Sequence, residues 1–231
     1  FCRIADDLAD ADEVSIVEKE QQFIVFDKLF DDCFKNDDYS KIKHPVFKAL
    51  NFVVKKYQLS REYLEGIIIG VRSDLYKTKY STEQELFDYC YKVAGCVAFV
   101  CIELFLSPKQ RTNEIFKYGE ALGRALQLTN ILRDIVEDAN KQRRYIPIDW
   151  IKNAELTELE YNQIISNLTN FAIANNKKQL NNLQRKTEFY ALQDFKSIKK
   201  LLDSLSEKIN YYYSECDKFI DKEQREKLRT L

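Results

Sequence analysis

Glycine and proline are scarce in this chain. The 231 residues include 5 glycines and 3 prolines, and neither type occurs after Pro147. No β-branched alternating segments are joined by Asn-Gly or Asp-Gly turns, which argues against a hairpin-rich β fold. The pattern favours long helices with few tight turns. We therefore predict an all-α helical bundle.

Histidine and excess charge of either sign are also nearly absent. The formal net charge is -1, and His44 is the single histidine. Without a basic excess the chain has no global field to attract nucleic acid, so we expect no nucleic-acid partner. His44 precedes Pro45 at a predicted helix start, where a structural role is expected, and no histidine-based acid–base mechanism is indicated.

Methionine and long hydrophobic runs are missing. Because the sequence begins at Phe1 and contains no Met, we expect N-terminal helices to be absent from this fragment. The longest apolar run, Val93 to Leu106, is interrupted by Glu103 and is shorter than the ~20 residues that span a bilayer. We interpret this run as a buried core helix. The six cysteines form no CxxC pair, which predicts reduced, buried thiols and a reducing, cytoplasmic location.

Helical periodicity is strongest in the last third of the chain. Its apolar residues recur at three- and four-residue steps: Ile198, Leu201, Leu202, Leu205, Ile209, Tyr212, Cys216 and Phe219. Helix breaks are predicted near 36–44, 60, 76–81, 107–111 and 144–149. Predicted helix starts are Ser60, Ser81 and Thr157, each followed within three residues by Glu or Gln.

A first acidic motif runs from Cys2 to Asp10. On a helix, Asp6 and Asp10 lie one turn apart on one face, where like charges repel unless a cation lies between them. Arg3 lies one turn before Asp6 and Asp7, and can orient a carboxylate or bind an anion.

A second acidic motif runs from Gln127 to Asp138. Asn130, Asp134 and Asp138 form an i, i+4, i+8 ladder, with Gln127 one turn earlier. Apolar neighbours place much of this helix in a core, where carboxylates are costly unless they are paired or bind metal.

Oxygen ligands without His or Cys suit Mg²⁺, which keeps several waters and usually bridges carboxylates to substrate phosphate. A solvated acidic helix face is the simpler interpretation of either motif alone. Two Asp-x-x-x-Asp motifs beside arginine in one helical chain favour a magnesium–diphosphate site.

Both acidic motifs, and a segment between them, resemble signatures of a known protein family. The first is similar to the Cys-Arg-x-x-Asp-Asp-x-x-Asp signature of squalene/phytoene synthases. Tyr89 to Val97 resembles the Tyr-Cys-x-x-Val-Ala-Gly-x-Val segment of that family, and Leu122 to Asp134, continuing to Pro147, resembles its second signature. Order and spacing match over about residues 1–160, and shorter matches at 44–46 and 70–75 lie between the signatures.

The resemblance implies a single-domain bundle of isoprenoid synthase type over residues 1–231, with a central cavity and the two acidic helices facing across it. It implies a Mg²⁺-dependent prenyltransferase that condenses two farnesyl or geranylgeranyl diphosphates head to head, through a cyclopropyl diphosphate, to squalene, dehydrosqualene or phytoene. Mn²⁺ is an alternative metal, and the use of NADPH is left open. These reactions belong to isoprenoid, carotenoid or hopanoid biosynthesis.

The resemblance also implies roles for individual residues. The implied metal ligands are Asp6, Asp10, Asn130, Asp134 and Asp138. Diphosphate contacts would come from Arg3, Arg133 and Arg143, with Asp7 and Gln127 binding directly or supporting the ligands. Tyr89 and Tyr145 would line the reacting centre, because aromatic faces stabilise carbocations. Asp74 is expected to be a solvated loop or capping carboxylate.

Two departures from the family pattern stand out, since glycine is usual where Ala98 and Gln142 stand. They leave open a non-catalytic relative that acts in assembly or interaction. Another helical Mg²⁺–diphosphate enzyme, such as a head-to-tail prenyltransferase or a nucleotide pyrophosphohydrolase, is the second alternative. For the favoured function we expect prenyl diphosphate substrates, a monomer, and peripheral contact with a membrane that receives the hydrocarbon product.

Overall fold

The computed structural model describes residues 1–11, 13–36, 38–178 and 195–219, and these residues form an all-α structure. The helices within these ranges are α1 (Cys2–Asp10), α2 (Ile16–Lys35), α3 (Pro45–Tyr57), α4 (Arg61–Ser73), α5 (Glu83–Cys90), α6 (Cys96–Phe105), α7 (Asn113–Arg133), α8 (Ile135–Asn140), α9 (Ile148–Asn153), α10 (Glu158–Lys178) and α11 (Phe195–Cys216). Short 3₁₀ turns occupy Tyr39–Lys41 and Pro108–Gln110, and a π-helical turn occupies Tyr91–Gly95. No strand occurs in these ranges, where Lys79 and Arg144 form an isolated parallel bridge.

The described residues form two compact units. The first unit contains residues from 1–77, 89–124 and 213–219, and the second contains residues from 78–88, 125–178 and 195–212. Helix α7 contributes its first half to the first unit and its second half to the second unit.

An aromatic core holds the first unit together. The rings of Phe26 on α2 and Phe47 on α3 lie 5.0 Å apart, edge to face, a favoured geometry for aromatic pairs. Helix α1 buries Ala5 and Ala9 against this core. A capping box between Ser15 and Glu18 starts α2.

Glycines allow close contact between helices of the first unit. A methyl group added at Gly70 of α4 would lie 2.7 Å from Val93 Cγ1 in the π-helical turn. One added at Gly123 of α7 would lie 2.8 Å from the carbonyl oxygen of Ala94. A side chain at Gly123 would therefore clash with the backbone of Ala94, and a side chain at Gly70 would clash with the side chains of Val93 and Lys92. Gly119 of α7 lies opposite Ala98 and Ile102. An added methyl would be 3.5 Å from the Ala98 Cβ, an ordinary contact, but only 2.7 Å from Ile102 Cδ1, so that side chain would have to move.

Buried polar bonds organise the second unit around residues 144–150. The Arg144 N–H donates to the Thr78 carbonyl at 2.7 Å. The Tyr145 and Tyr80 rings stack at 5.6 Å. The Trp150 indole donates to Glu83 at 2.6 Å. Leu201, Leu205 and Ile209 of α11 are buried, which confirms the predicted amphipathic helix.

The predicted helix breaks are confirmed, and two predicted caps differ. Thr157 forms the expected capping box with Glu160. Thr82, rather than Ser81, accepts the N–H of Glu85 at the start of α5. Ser60 precedes α4 without capping it through its side chain, because its N–H and hydroxyl donate to Glu103 at 2.8 and 2.5 Å.

The predicted core helix at 93–106 is present, but its first residues belong to the π-helical turn and the rest to α6. Glu103 is buried there, and the two hydrogen bonds that Ser60 donates to its carboxylate offset the cost of that burial. Among the described helices none combines the length and the apolarity needed to cross a bilayer.

The described residues include all six cysteines, and no disulfide joins them. Cys33, Cys90, Cys96 and Cys216 are buried as predicted, whereas Cys2 and Cys101 are partly exposed. Burial raises the thiol pKa of Cys33 and Cys96 to about 11 and that of Cys90 to about 12, so these groups stay protonated near neutrality.

Candidate functional site

The first acidic motif forms α1, and its two faces differ. Ala5 and Ala9, one turn apart, are buried, and the side chains of Asp6 and Asp10 are exposed. The helix therefore presents the predicted carboxylate pair away from the core. Lys19 donates from Nζ to the Ala9 carbonyl oxygen at 2.7 Å, which places a cation at the C-terminal end of this helix.

Arg3 pairs with Asp7 in this motif. The Arg3 Nε lies 2.9 Å from Asp7 Oδ1, between side chains that are 86% and 59% exposed. The pKa of Asp6 is raised, first because surrounding protein atoms desolvate its carboxyl and second because Asp10 carries a like charge. A cation bound near both carboxylates would relieve that repulsion.

The second acidic motif crosses a break between α7 and α8. Asp134 lies at the break with φ -99° and ψ 10°, so the helix predicted here is interrupted. The backbone hydrogen bonds between the ladder residues are nevertheless kept across the break. The Asp134 N–H donates to the Asn130 carbonyl at 2.9 Å, and the Asp138 N–H donates to the Asp134 carbonyl at 2.8 Å. The three ladder residues keep helical i, i+4 spacing across the break.

Arg133 binds its neighbour Asp134 with both arms of the guanidinium. Nε donates to Oδ1 at 2.7 Å and Nη2 donates to Oδ2 at 2.6 Å. This bidentate bond is the main reason that the pKa of Asp134 lies below its usual range. Asn130 Nδ2 donates a long hydrogen bond of 3.5 Å to Gln127 Oε1. The side-chain carbonyl oxygen of Asn130 therefore points away from Gln127.

The pKa of Asp138 is shifted in the opposite direction to that of Asp134. Partial burial, followed by the charge of Asp134, raises the pKa of Asp138 to about 6. The Arg143 N–H donates to the Asp138 carbonyl oxygen at 2.8 Å, and the Arg143 charge moderates this shift. An oxygen ligand with an unfavourable negative charge is the kind of group that a bound cation stabilises.

The two predicted tyrosines are buried in separate units. In the first unit, Tyr89 is 7% exposed and its hydroxyl hydrogen-bonds to Asp74 Oδ2 at 2.9 Å. This bond corrects the expectation that Asp74 is a solvated loop carboxylate. In the second unit, Tyr145 is 7% exposed and stacks on Tyr80. The sequence patterns alone gave no sign of the Asp74 contact, because its partners lie on α5 and at the end of α4.

A cleft of about 520 Å³ lies in the second unit beside the second acidic motif. Ala139 and Asn140, which follow Asp138 on α8, line one part of it, and Arg143 lines another. Gln142, also in its lining, has φ 58°, a left-handed conformation. Glycine adopts this conformation without strain, so glutamine is the less favourable residue for the backbone at this position.

The donor set of each motif fits magnesium. Each motif offers carboxylate oxygens one turn apart, and the second adds an amide oxygen, all of which are hard ligands. In the part of the chain that the structure describes, no three His, Cys, Asp or Glu side chains cluster as a complete metal cage. Mg²⁺ commonly uses few protein ligands together with water and phosphate.

Two solved structures share this fold. A crystal structure of a dehydrosqualene synthase in complex with ligand matches with a TM-score of 0.63 at 24% identity, covering 96% of this chain and 65% of that chain. Squalene synthase HpnC from Alicyclobacillus acidocaldarius matches with a TM-score of 0.60 at 20% identity, covering 93% and 77%. The fold is therefore the all-α isoprenoid synthase fold.

The family follows from the sequence comparison. A family model for squalene/phytoene synthase matches residues 1–222. The chain belongs to the squalene/phytoene synthase family.

Curated plant relatives agree with this assignment. Phytoene synthase 2, chloroplastic, of Zea mays is 35% identical over 161 residues, covering 68% of this chain and 39% of the maize protein. Phytoene synthase, chloroplastic, of Daucus carota is 34% identical over 160 residues, covering 68% and 39%. Phytoene synthase 2, chloroplastic, of Solanum lycopersicum is 31% identical over 161 residues, covering 68% and 50%. The matched segment thus spans about two fifths to one half of these proteins.

Proposed function

We propose that this chain is the catalytic part of a head-to-head prenyltransferase. It joins two molecules of farnesyl or geranylgeranyl diphosphate through a cyclopropyl diphosphate to squalene, dehydrosqualene or phytoene. Family membership supports the reaction class, and the plant relatives named phytoene synthase support geranylgeranyl diphosphate as the first substrate to test.

The observation that carries the proposal is the charge state of the two carboxylate motifs. Asp6 in one motif and Asp138 in the other have raised pKa values, because partly desolvated carboxyl groups lie one turn from a like charge. Such pairs are unfavourable by themselves and become favourable around a divalent cation. When bound, Mg²⁺ or Mn²⁺ would neutralise diphosphate and make it a better leaving group.

Each motif supplies ligands and diphosphate contacts. Asp6 and Asp10 in the first motif, and Asn130, Asp134 and Asp138 in the second, would hold metal. The guanidinium groups of Arg3, Arg133 and Arg143 would bind diphosphate oxygens, with Asp7 and Gln127 in support. Arg133 now binds Asp134 at an exposed position, so exchanging this carboxylate for a phosphate requires only a side-chain rotation.

Tyr89 and Tyr145 would protect the carbocation formed when diphosphate leaves. Both rings are buried, so water has little access to them. An aromatic face attracts a cation through its quadrupole and cannot trap it as water does. The bond to Asp74 holds the hydroxyl end of the Tyr89 side chain in place.

The test is product analysis with the full protein that carries this chain. It is incubated with Mg²⁺ and either farnesyl or geranylgeranyl diphosphate, with and without NADPH, and products are identified by chromatography and mass. We expect a hydrocarbon or a cyclopropyl diphosphate, activity lost in EDTA, and restoration by Mg²⁺ or Mn²⁺. The NADPH arm shows whether the final cation is reduced.

Two outcomes would contradict the proposal. A linear prenyl diphosphate product would assign the protein to head-to-tail synthesis. Failure to release pyrophosphate from either substrate, in a protein that is folded by circular dichroism, would favour a non-catalytic assembly role. The variant Asp138→Asn is the matched control, because it keeps side-chain shape and removes one proposed metal ligand.

We further propose that the protein acts as a monomer in the cytoplasm and contacts a membrane surface. On α2, Val17, Ile24 and Val25 are 67%, 61% and 60% exposed, and their seven- and eight-residue spacing places them on one face. Co-flotation with lipid vesicles should be reduced by Val17→Ser/Ile24→Ser. Unchanged flotation would argue against this face, and light scattering would report the oligomeric state.

A further inference from the structure

Two backbone segments of the second unit lie side by side, and each carries one ring of a stacked tyrosine pair. Lys79 and Arg144 form a parallel bridge, and the Arg144 N–H donates to the Thr78 carbonyl oxygen at 2.7 Å. The rings of Tyr80 and Tyr145, one residue further along each segment, stack with their centroids 5.6 Å apart. Both rings are buried, at 1% and 7% exposure. The position of the Tyr145 ring therefore depends on the alignment of the two segments.

The side chain of Arg144 joins the same two segments a second time. Its Nη1 donates to the carbonyl oxygen of Tyr80 at 3.2 Å on one segment and to the carbonyl oxygen of Ile146 at 2.6 Å on the other. These acceptors belong to one member of the stack and to the residue that follows the other member, Tyr145. The guanidinium is therefore bonded to the backbone beside each of the two rings.

A charged side chain is costly at this position. Arg144 is 9% exposed, and its Nε is buried without a hydrogen-bond partner in the part of the chain that the structure describes. Its Nη2 lies 3.7 Å from Glu158 Oε1 on α10, which is too long for a hydrogen bond. A guanidinium stays charged at physiological pH, so its burial has a desolvation cost that an apolar side chain would avoid. The two carbonyl bonds are what an apolar side chain of similar length could not supply.

We propose that Arg144 is a positioning residue for the condensation reaction, because it holds the segments that place the Tyr145 ring. This inference rests on the proposed function, in which Tyr145 protects the carbocation from water. Arg144 acts through the backbone at Tyr80 and Ile146 and not on the substrate itself. Without its two carbonyl bonds the segments can shift against each other, and the displaced ring gives water access to the cation.

Such a shift changes the fate of the cation and not only the rate at which it forms. The departing diphosphate takes the bonding electron pair and leaves an allylic cation. In the productive reaction the double bond of the second substrate attacks this cation. A water molecule that attacks instead forms a C–O bond, releases a proton and yields a prenyl alcohol. The ratio of alcohol to condensed product does not depend on how much of the protein is folded, so it separates positioning from stability.

The test measures this ratio in the full protein with Mg²⁺ and the prenyl diphosphate that the wild type condenses. Arg144→Met keeps an unbranched side chain and removes both bonds, so the ratio should rise about ten-fold, since a small misplacement of a positioned group changes a rate by that order or more. Arg144→Lys keeps the charge and the donors on a shorter side chain, and should raise the ratio only about three-fold. Leu201→Ala, at a buried position on α11, is the matched control. It should lower thermal stability through the cavity it leaves and keep the ratio of the parent.

Amide hydrogen exchange reports on the alignment of the segments without catalysis. The Ile148 N–H donates to the Tyr80 carbonyl oxygen at 3.2 Å, and the Asp149 N–H donates to the Ser81 carbonyl oxygen at 3.3 Å. Both groups should exchange faster in Arg144→Met than in the wild type, because local opening of the segments becomes easier. Unchanged exchange would show that Arg144 does not hold the segments together.

The product ratios distinguish failure of this inference from failure of the proposed function. An unchanged ratio in Arg144→Met would overturn the positioning role while condensation by the wild type still supports the proposed function. An equal rise in Leu201→Ala would also overturn it, because any loosening of the second unit would then suffice. A wild type that forms no condensed product contradicts the proposed function, and the positioning role falls with it. If Arg144→Met does not fold by circular dichroism, Arg144→Lys decides, and an unchanged ratio there overturns the inference.

Discussion

The two acidic motifs have the same carboxylate spacing, but they differ in which carboxylate the neighbouring arginine binds. On α1, Arg3 bonds to Asp7, which lies outside the Asp6–Asp10 pair. At the α7–α8 break, Arg133 binds both oxygens of Asp134, a member of the ladder itself. In the first motif the arginine ion pair therefore lies outside the Asp6–Asp10 pair, whereas in the second it includes Asp134 and leaves Asp138 with a pKa of about 6.

This difference shows that identical spacing does not give identical chemistry. A cation approaching the first motif meets a carboxylate pair outside the Arg3 ion pair. A cation approaching the second meets Asp138 first and must displace Arg133 from Asp134 to gain a second carboxylate. We expect the second motif to respond more strongly to diphosphate, because phosphate can take over the guanidinium that the metal displaces.

The largest expected effect is on catalysis. Asp138→Asn and Asp6→Asn each remove one negative oxygen ligand while keeping side-chain shape. Metal-assisted departure of a leaving group contributes several kcal/mol to transition-state stabilisation, so each variant should lose about a thousandfold in kcat/KM. Steady-state assays of pyrophosphate release check this, with circular dichroism to confirm folding. Wild-type activity in either variant would remove that motif from the metal site.

A second prediction concerns the pH dependence of stability in EDTA. The carboxyl of Asp138 has a pKa of about 6 in the folded state, against its ordinary 3.8. Between these values the folded state holds the proton and the unfolded state has lost it. The unfolding free energy should therefore fall as the pH rises from about 4 to about 6. Urea unfolding at several pH values measures this slope.

Asp138→Asn should flatten that slope, and Asp6→Asn should flatten it less because the Asp6 side chain is exposed. A slope that is the same in all three proteins would contradict the charge asymmetry between the motifs.

A third prediction separates the two arginines. Arg133→Gln releases both oxygens of Asp134, so Mg²⁺ measured without diphosphate should bind about two- to five-fold more tightly. Arg3→Gln breaks a pair outside the Asp6–Asp10 face and should change Mg²⁺ affinity less. Isothermal titration compares them, and a larger gain in Arg3→Gln would reverse the comparison.

Sequence periodicity was sufficient for the parts of these sites that depend on one helix. It predicted the shared face of Asp6 and Asp10, because helical geometry fixes i, i+4 neighbours. It did not predict that Arg133 binds the adjacent Asp134, since that choice depends on a side-chain rotamer and on the helix break. The burial of Arg144 was also missed, because it depends on backbone pairing with Lys79, a residue far away in sequence.

The smallest expected effect concerns the loop that follows the second motif. Gln142 has φ 58°, and a non-glycine residue in this region is strained by about 1 kcal/mol. Gln142→Gly relieves this strain but makes the unfolded chain more flexible, so the net gain in unfolding free energy should be below about 1 kcal/mol. Thermal unfolding measures the change. Valine is β-branched and is strained at this φ, so Gln142→Val should be less stable than both the wild type and Gln142→Gly. A marked loss of stability in the glycine variant would show that the glutamine side chain matters more than its backbone.

The contact between Gly70 and Val93 has a consequence for the alignment of two helical segments. Gly70 lies four residues before Asp74, and Val93 lies four residues after Tyr89. The Gly70–Val93 contact and the Asp74–Tyr89 bond therefore join the same two antiparallel segments one helical turn apart. A shift of one segment along the other by a single residue would break both contacts together. The two contacts together therefore fix the register of the segments, and with it the position of Tyr89 along the α4 axis.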